Sequence, residues 1–453
     1  MFPMRIVFLL LCLLLTGPAI PSFAEESDVL KFPFVETVLK NGLKVILLEE
    51  HKAPVVTVQV WYHVGERNEV TGKTGLSHLM EHMMFKGTPK YGKGEFSRII
   101  QKNGGNDNAF TTQDYTAFFQ NLSSDRISVS LDLESDRMGH LLIDPKEFQL
   151  ERDVVKEERR MRTDDNPSDS LFEQLSAQAY TAHPYHSPVI GWMTDLNHLT
   201  RDDLYRHYQK YYLPNNATLI IVGDFKSAEL LPVIRQYYES VPAGPNPPPV
   251  QVEEPEQKGE RRFILRKEAQ IPIVLIGYKV PNYSDPDHFA LEVLSAILSS
   301  GKSSRLYQKL VYDKKLALDV GSDYSELSSD PPLFTLYGKP QQGKRIDELE
   351  SAILEEIEAL QRTPVTEKEL QKVKTQLETQ FILNRDSNFF VAMQIGMAES
   401  TGAGSHYFDT WLDSIRKVTA QEVMKVANQY LTTDHKTTGT LIPLTHDKPK
   451  TAS

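Results

Sequence analysis

A proline-rich segment near the middle of the chain is the feature that most limits how this sequence can fold. It reads AGPNPPPVQVEEPEQKG from Ala243 to Gly259 and holds five prolines with no helical or strand period. Proline fixes its own φ angle and has no amide hydrogen to donate, so such a run interrupts helices and sheets. The segment therefore predicts an extended linker over residues 243–260, which divides the chain into halves of similar length.

The two halves resemble each other where they end. LTRDDLYRHYQKYYLPNNATLIIVGDF begins at Leu199, and VTAQEVMKVANQYLTTDHKTTGTLIPL begins at Val418. Each segment starts with an apolar residue and a Thr that can cap a helix, and a Tyr follows at the same offset, at Tyr211 and Tyr430. Both patterns predict a helix, a polar turn and an apolar strand. The alternative is two unrelated domains with a chance similarity.

The beginnings of the halves agree as well. APVVTVQVWYHVG, from Ala53, and AQIPIVLIGYKVP, from Ala269, both have the composition of a strand, and a helical pattern follows each. We therefore predict an α+β fold made of two homologous α/β-sandwich domains, produced by duplication and joined by the proline-rich linker. The predicted domains are residues 28–242 and 261–446.

The N-terminus has the pattern of a secretory signal peptide over residues 1–24. A positive charge at Arg5 precedes an apolar run, and Ser22-Phe23-Ala24 resembles a small-x-small cleavage site. A membrane anchor is the alternative, although the run is short for a span. Cys12 is the sole cysteine and lies in this segment, so the exported chain would hold no disulfide. We expect a periplasmic or secreted protein.

The charge balance and hydropathy exclude two classes of partner. The formal net charge is -11 and no long basic stretch appears, whereas nucleic-acid binding usually needs a concentrated basic face. After the N-terminal run, no segment is long and apolar enough to cross a bilayer. The sequence therefore predicts no nucleic-acid partner and no stable membrane span.

The sequence HLMEH, residues 78–82, carries the strongest chemical signal. His78, Glu81 and His82 have the i, i+3, i+4 spacing that places side chains on one face of a helix. Two imidazoles one turn apart can bind one zinc ion, and a Glu on the same face can take a proton from a water molecule. A pair of surface histidines would show the same spacing, so the interpretation requires a third ligand.

A candidate third ligand lies in ERDVVKEERRM, which starts at Glu151. Glu151 and Glu158 are two helical turns apart, with Val154 and Val155 between them on what we predict to be a core-facing stripe. Carboxylates beside such a stripe are uncommon without a partner, and a metal ion would supply one. A solvated acidic helix with salt bridges to neighbouring arginines is the alternative.

These motifs together resemble the pitrilysin/insulinase family of zinc metallopeptidases. The chain is most similar to the branch that includes mitochondrial processing peptidase, in particular its beta subunit, and small bacterial zinc proteases. Blocks similar to those of the family occur in family order over most of the chain: NGLKVILLEE, GLSHLMEHMMFKGT, GGNDNAFTTQDYTAFF, ERDVVKEERRM, HPYHSPVIGW and YYLPNNATLIIVGDF.

The resemblance implies a ligand set and a mechanism. His78, His82 and Glu158 would bind one Zn²⁺ per chain, Glu81 would be the general base, and Glu151 would be a carboxylate that orients a ligand imidazole. Glu157 is the rival third ligand because it adjoins Glu158, and the family register favours Glu158. The implied activity is that of a metalloendopeptidase in which zinc activates water and Glu81 transfers its proton to the leaving amine.

The resemblance also places the peptide substrate. Asn108, Ala109 and Phe110 begin a strand that in the family is a sheet edge, where an extended peptide pairs with little demand on its sequence. A plain core strand is the alternative, and for the side chains of Phe110, Tyr115 and Phe118 we expect packing. Extended peptides or small unfolded polypeptides are the expected substrates, in either precursor processing or degradation.

The chain departs from the family in its second half. Relatives usually carry an Arg and a Tyr seven residues apart there, and the corresponding positions are Val311 and Leu318. Arg305 and Tyr312 have the same separation but lie six residues early. Some bacterial relatives are heterodimers in which one subunit holds the zinc motif and the other the Arg/Tyr pair.

We therefore predict that this chain forms half of a clam-shell chamber and needs a paralogous subunit. A self-sufficient homodimeric peptidase is one alternative. A non-catalytic subunit, like the core proteins of respiratory complexes, is the other, although those typically have damaged metal motifs.

Overall fold

The computed structural model describes residues 32–444. The predicted signal peptide, residues 1–24, lies outside this range. The described chain forms two mixed α+β units in which helices cover one six-stranded and one five-stranded sheet. The prediction of a duplicated α/β sandwich is confirmed.

The described part of the first half contains six strands and eight α-helices. Its strands are β1 (Val35–Val38), β2 (Lys44–Glu49), β3 (Val55–Tyr62), β4 (Asn106–Thr111), β5 (Thr116–Ser123) and β6 (Ala217–Gly223). Its helices are α1 (Leu76–Met83), α2 (Glu95–Lys102), α3 (Ile127–His140), α4 (Pro145–Arg159), α5 (Pro167–Ala179), α6 (Met193–His198), α7 (Arg201–Tyr211) and α8 (Ser227–Tyr238).

The second half, as far as residue 444, contains five strands and six α-helices. Its strands are β7 (Arg261–Lys267), β8 (Ile273–Lys279), β9 (Ala317–Asp323), β10 (Leu333–Pro340) and β11 (Lys436–Pro443). Its helices are α9 (Asp287–Ser299), α10 (Ile346–Arg362), α11 (Glu367–Asn384), α12 (Asn388–Thr401), α13 (Phe408–Lys417) and α14 (Ala420–Tyr430).

The two sheets have the same strand order and the same strand directions. The first is β1-β2-β6-β3-β5-β4 and the second is β7-β11-β8-β10-β9. In each, one parallel pair (β2 with β6, β7 with β11) is followed by three antiparallel pairs. The register agrees too, because Tyr62 and Tyr278 pair with the first residues of β6 and β11. The second sheet therefore repeats the first without β1.

The helix that precedes each final strand is fixed by the same local device. Thr200 accepts a hydrogen bond from the Asp203 amide, Thr419 does so from the Glu422 amide, and each acidic side chain bonds back to the amide of its threonine. This capping box satisfies two amides that a helix start otherwise leaves unpaired. It explains why the two segments that resemble each other in sequence form the same helix-turn-strand unit.

The halves exchange a helix. Helix α5, from the first half, packs against β8 and β11 of the second sheet, while α12, from the second half, packs against β3 and β6 of the first sheet. Gly396 permits the second contact, because a Cβ atom there would lie 2.0 Å from the indole of Trp61. Each core is therefore completed by a helix from the other half.

The proline-rich segment lies outside every helix and strand, and it is fastened at Glu254. The Glu254 carboxylate accepts hydrogen bonds from the amides of Thr181, Ala182 and His183 at 2.8–3.0 Å and pairs with Lys279 at 2.7 Å. It therefore connects the linker to both halves. Within residues 32–444, no helix has the length and apolar character that crossing a bilayer requires.

Candidate metal centre

Helix α1 is fixed at its start by close packing and a partly buried carboxylate. Gly75, at its N-terminus, has a φ of 87°, and a Cβ there would lie 2.7 Å from the Ile190 carbonyl. Glu69 accepts hydrogen bonds from the amides of Gly75 and Ser77, both at 2.6 Å. These contacts satisfy the first turn of the helix and determine which way its polar face points.

Three side chains converge on one point beside α1. The Nε2 atom of His82 lies 3.3 Å from Oε2 of Glu158, and that of His78 lies 3.8 Å from the same oxygen. Their potential ligand atoms lie within 4.8 Å of one another, and no other group of this kind occurs within residues 32–444. A tetrahedral zinc site has ligand-to-ligand distances of roughly 3.3–3.4 Å, so this donor set fits zinc.

The structure separates the two rival glutamates on α4. Glu158 faces the two histidines and also pairs with Arg162, whereas the exposed Glu157 pairs with Arg160. The prediction of a core-facing stripe beside Glu158 is confirmed for one of its two valines. Val155 is fully buried, but Val154 is 49% exposed and lines the cleft above the cluster, so the core-facing interpretation of Val154 was wrong.

Glu151 orients His82. Its Oε1 atom lies 2.9 Å from His82 Nδ1, and its Oε2 lies 2.5 Å from the ammonium of Lys86. A hydrogen bond from Nδ1 to the carboxylate leaves the Nε2 lone pair facing Glu158, where a metal ligand is needed. The structure thus places Glu151 against the His82 ring, and its role beside a metal ligand stays a prediction.

Glu81 lies on the same face of α1 and is held from β4. The Thr111 hydroxyl donates a hydrogen bond to Glu81 Oε2 at 2.6 Å. Burial raises the pKa of Glu81, although the bond from Thr111 opposes this shift. A carboxylate with a raised pKa accepts a proton more readily near neutral pH, as a general base requires.

The two histidines differ in their affinity for protons. Burial, with a smaller contribution from His82, lowers the pKa of His78 to about 4. Burial also disfavours the charged form of His82, but its hydrogen bonds with Glu151 and Glu158 outweigh this and raise its pKa to about 9. A metal ion that binds here must replace the His82 proton, because only the neutral ring offers a lone pair at Nε2.

The predicted substrate strand is a sheet edge. Strand β4, with Asn108, Ala109 and Phe110, pairs on one side with β5, and no strand from the described residues 32–444 lies on its other side. It borders a cleft of about 810 Å³ that His78, Glu81, His82 and Glu158 also line. The Phe110 ring packs edge-on against Trp61 with ring centroids 5.6 Å apart, as expected for a packing side chain.

Sequence reasoning did not identify three residues of this site: Lys86, Thr111 and Arg162. Each contacts an acidic residue that is distant in sequence or one helical turn away. Lys86 and Thr111 lie inside the quoted blocks HLMEHMMFKGT and NAFTTQ, but neither spacing nor composition indicates that their partners are Glu151 and Glu81.

The second half places its corresponding residues differently. Val311 packs partly buried against the core, and Leu318 is 56% exposed on the edge strand β9. Arg305 is paired with Glu369 at 2.7 Å, and Tyr312 is exposed. Arg305 is therefore already occupied by a carboxylate from α11.

Two family models match consecutive parts of the chain. The family model described as Insulinase (Peptidase family M16) matches residues 44–192, and the model described as Peptidase M16 inactive domain matches residues 198–377. The zinc protease PqqE of Helicobacter pylori is 35% identical over 416 residues, which cover 89% of this chain and 92% of that protein. The chain belongs to the insulinase family, peptidase family M16.

Solved structures of M16 type have the same fold. A protease from Helicobacter pylori superposes with a TM-score of 0.88 at 33% identity, covering 91% of this chain and all of the other. The periplasmic protease PqqL from Escherichia coli superposes with a TM-score of 0.76 at 16% identity. That match covers 91% of this chain but 48% of PqqL, so PqqL is about twice as long as the unit described here.

Proposed function

We propose that this chain is a zinc-dependent endopeptidase of the M16 family. The observation that carries the proposal is the convergence of His78, His82 and Glu158 beside Glu81, at a cleft bordered by an open strand edge. Supporting it, relatives over most of the chain are named zinc proteases. Glu158, rather than Glu157, is the proposed third ligand of one Zn²⁺ per chain.

The roles of the side chains follow from their contacts. His78, His82 and Glu158 would hold the zinc ion, which when bound would supply a Lewis acid for activating water and polarising the scissile carbonyl. Glu81 takes a proton from the attacking water and delivers it to the leaving amine, and the Thr111 hydroxyl holds its carboxylate in place. Glu151 holds the His82 ring in the required tautomer.

An extended peptide would bind by adding a strand to β4 along Asn108, Ala109 and Phe110. Main-chain hydrogen bonds to a sheet edge require an unfolded segment but little particular sequence. The proposed substrates are therefore extended peptides and small unfolded polypeptides.

We further propose that the chain works as the metal-bearing subunit of a heterodimer that encloses a chamber. Two features support this: Val311 and Leu318 replace the Arg and Tyr of the family, and PqqL is about twice the length of this chain. A paralogous subunit would supply the missing pair. The N-terminal signal pattern supports export to the periplasm or beyond, which N-terminal sequencing of the protein from fractionated cells tests.

Elemental analysis for zinc tests the ligand set. Wild type and Glu157→Gln should each hold one zinc per chain after purification without chelators, while Glu158→Gln should lose it. Glu151→Gln should keep zinc with an affinity about 10- to 100-fold lower, because the ligand ring loses its orientation. A wild-type chain without zinc would contradict the proposal and favour a non-catalytic subunit.

Activity measurements separate the heterodimer from the homodimer. Cleavage of an unfolded polypeptide should be weak for the chain alone, strong with its paralogue, and absent after chelation. Strong cleavage by the chain alone, undiminished in Val311→Ala and Leu318→Ala, would favour a self-sufficient enzyme. Size-exclusion chromatography of the chain with and without the paralogue would identify the active assembly.

A further inference from the structure

A second cleft, of about 550 Å³, lies on the other side of the metal cluster. His78, Glu158 and Arg162 line both this cleft and the first one, so the cluster stands at their junction. Thr111 is also common to both clefts, while Thr112 and Gln113 line the second alone. A peptide lying across the metal centre would therefore enter both clefts, one on each side of its cleaved bond.

Beyond Thr111 the strand edge is no longer free. The carbonyls of Thr112 and Gln113 accept hydrogen bonds from the amides of Glu66 and Arg67 at 3.2 and 2.9 Å. A substrate that pairs with β4 therefore loses these backbone acceptors when it reaches the second cleft. In the second cleft, discrimination between substrates therefore depends on contacts with substrate side chains.

One wall of the second cleft is a face of helix α5. Asp169, Phe172, Glu173 and Ser176 have the spacing of a single helical stripe, and all four line the cleft. The charged members already have partners, because Asp169 accepts a hydrogen bond from Asn166 at 2.6 Å and Glu173 pairs with Arg159 at 2.8 Å. Phe172 is 51% exposed and presents its ring to the cleft.

The opposite wall is the loop with Pro188, Val189 and Ile190, and it is rigidly held. Gly191 follows with a φ of 84°, and a Cβ there would lie 2.6 Å from the Thr74 carbonyl. The buried Arg159 joins the two walls, since it pairs with Glu173 on one and donates to the Gly191 carbonyl at 2.8 Å on the other. The cleft is therefore pre-formed, with an apolar side-chain surface between fixed walls.

We propose that this cleft binds one large apolar side chain of the substrate, aromatic or long aliphatic, next to the cleaved bond, and that Phe172 determines this specificity. The proposal rests on the proposed peptidase function and adds a preference that the strand edge alone does not provide. An aromatic ring with half its surface open gains most from a partner that buries it, and aromatic pairs add to the gain from burial. The expected preference over glycine is about 10- to 200-fold in kcat/KM.

The test is cleavage-site mapping with the assembled enzyme, on a peptide library and by mass spectrometry. Wild type, Phe172→Ala, Phe172→Asp and Val154→Ala are compared after thermal melting and zinc content have shown that each is folded and loaded. Val154 is the matched control because it is a similarly exposed apolar residue of the first cleft.

In the wild type we expect Phe, Tyr, Leu or Met to be enriched at one position beside the cleaved bond. Phe172→Ala should abolish the enrichment, and Phe172→Asp should shift that same position toward Lys and Arg. Val154→Ala should leave that position unchanged.

An unchanged preference in Phe172→Asp would overturn the subsite, as would a shift of the same position in Val154→Ala. Cleavage by the wild type with no positional preference would overturn the subsite proposal and leave the peptidase proposal intact. Absence of any cleavage by the zinc-loaded assembly would overturn both proposals.

Discussion

The two halves of the chain share a strand order and register but differ in the helix that follows the central strand. Helix α1 in the first half is short and carries His78, Glu81 and His82 on the face toward α4. Helix α9 in the second half spans Asp287–Ser299 and is dominated by buried apolar residues. One architecture therefore carries the candidate metal centre in one copy and a packed core in the other.

The His and Glu of α9 show how the second copy differs. His288 contacts the Tyr407 hydroxyl at 3.0 Å and the Asp285 carbonyl at 2.7 Å, and Glu292 accepts a hydrogen bond from Trp411 at 3.0 Å. Both are used to connect neighbouring elements, and no second His follows one turn later. The comparison teaches that the strand order positions a helix, while a few side chains decide its chemistry.

The largest expected effect is the loss of activity on replacing Glu81 of α1, compared with replacement of Glu292 of α9. Glu81→Gln should lower kcat about 10²- to 10⁴-fold with zinc retained, because the general base is lost and the ligands are not. Glu292→Gln is the matched control in α9. Burial raises the pKa of Glu292, so a neutral amide should replace it with little effect on peptide cleavage. Equal losses of activity in both variants would contradict the division of roles.

The exchanged helices provide a second test, of stability. Leu175 and Ile395 are both fully buried. Leu175, on α5 of the first half, lies in the core of the second sheet, and Ile395, on α12 of the second half, lies on the helix that covers the first sheet. Replacing either with Ala should lower the free energy of unfolding by about 2–5 kcal/mol, through lost burial and the cavity left behind. Chemical denaturation of the single and double variants measures this. Since the sites lie on different sheets, the effects should add within about 0.5 kcal/mol.

The Glu254 connection between the halves should depend on pH. Three amides and Lys279 lower the pKa of Glu254 to about 2 by outweighing the effect of its burial. A lowered pKa stabilises the fold above the pKa of the unfolded state, near 4.3, and this contribution is lost as the pH falls toward 2. Glu254→Gln should therefore cost about 1–2 kcal/mol at pH 7 and progressively less below pH 4. Denaturant melts at several pH values measure the difference, and a pH-independent cost would contradict it.

The smallest expected effect tests the likeness of the halves. Thr200→Ala and Thr419→Ala remove equivalent caps from α7 and α14, and each should cost about 1 kcal/mol. Thr200→Ser and Thr419→Ser keep the hydroxyl and should restore most of it. A large cost at one cap and none at the other would show that the equivalent helices contribute unequally to folding.

Sequence reasoning predicted the features whose geometry is local. The spacing of His78 and His82 fixes their shared face, and the capping threonines Thr200 and Thr419 mark equivalent helices. The edge position of β4 required the family resemblance, since a strand pattern does not state what lies beside it.

The features that sequence reasoning missed depend on which element packs against which. The apolar face of α5 contains Leu171 and Leu175, but nothing in its pattern says that the sheet beneath it belongs to the other half. The prediction that Val154 faces the core was wrong for the same reason. The helical period places Val154 beside Val155, and only the packing of α4 decides which of the two faces the core. The contacts of Lys86 and Thr111 likewise join separate elements.

The helix exchange has a consequence for Glu158, the proposed third ligand. His78 and His82 lie on α1, above the first sheet. Glu158 lies near the end of α4, nine residues before the start of α5, which packs on the second sheet. Sliding one sheet relative to the other would pull on the carboxylate and open the triangle of ligand atoms. Coupling of this kind is reciprocal, so an ion held by all three side chains would resist the sliding in turn. Metal affinity would thereby report the alignment of the two sheets, and the ion would act as a mechanical clamp between them.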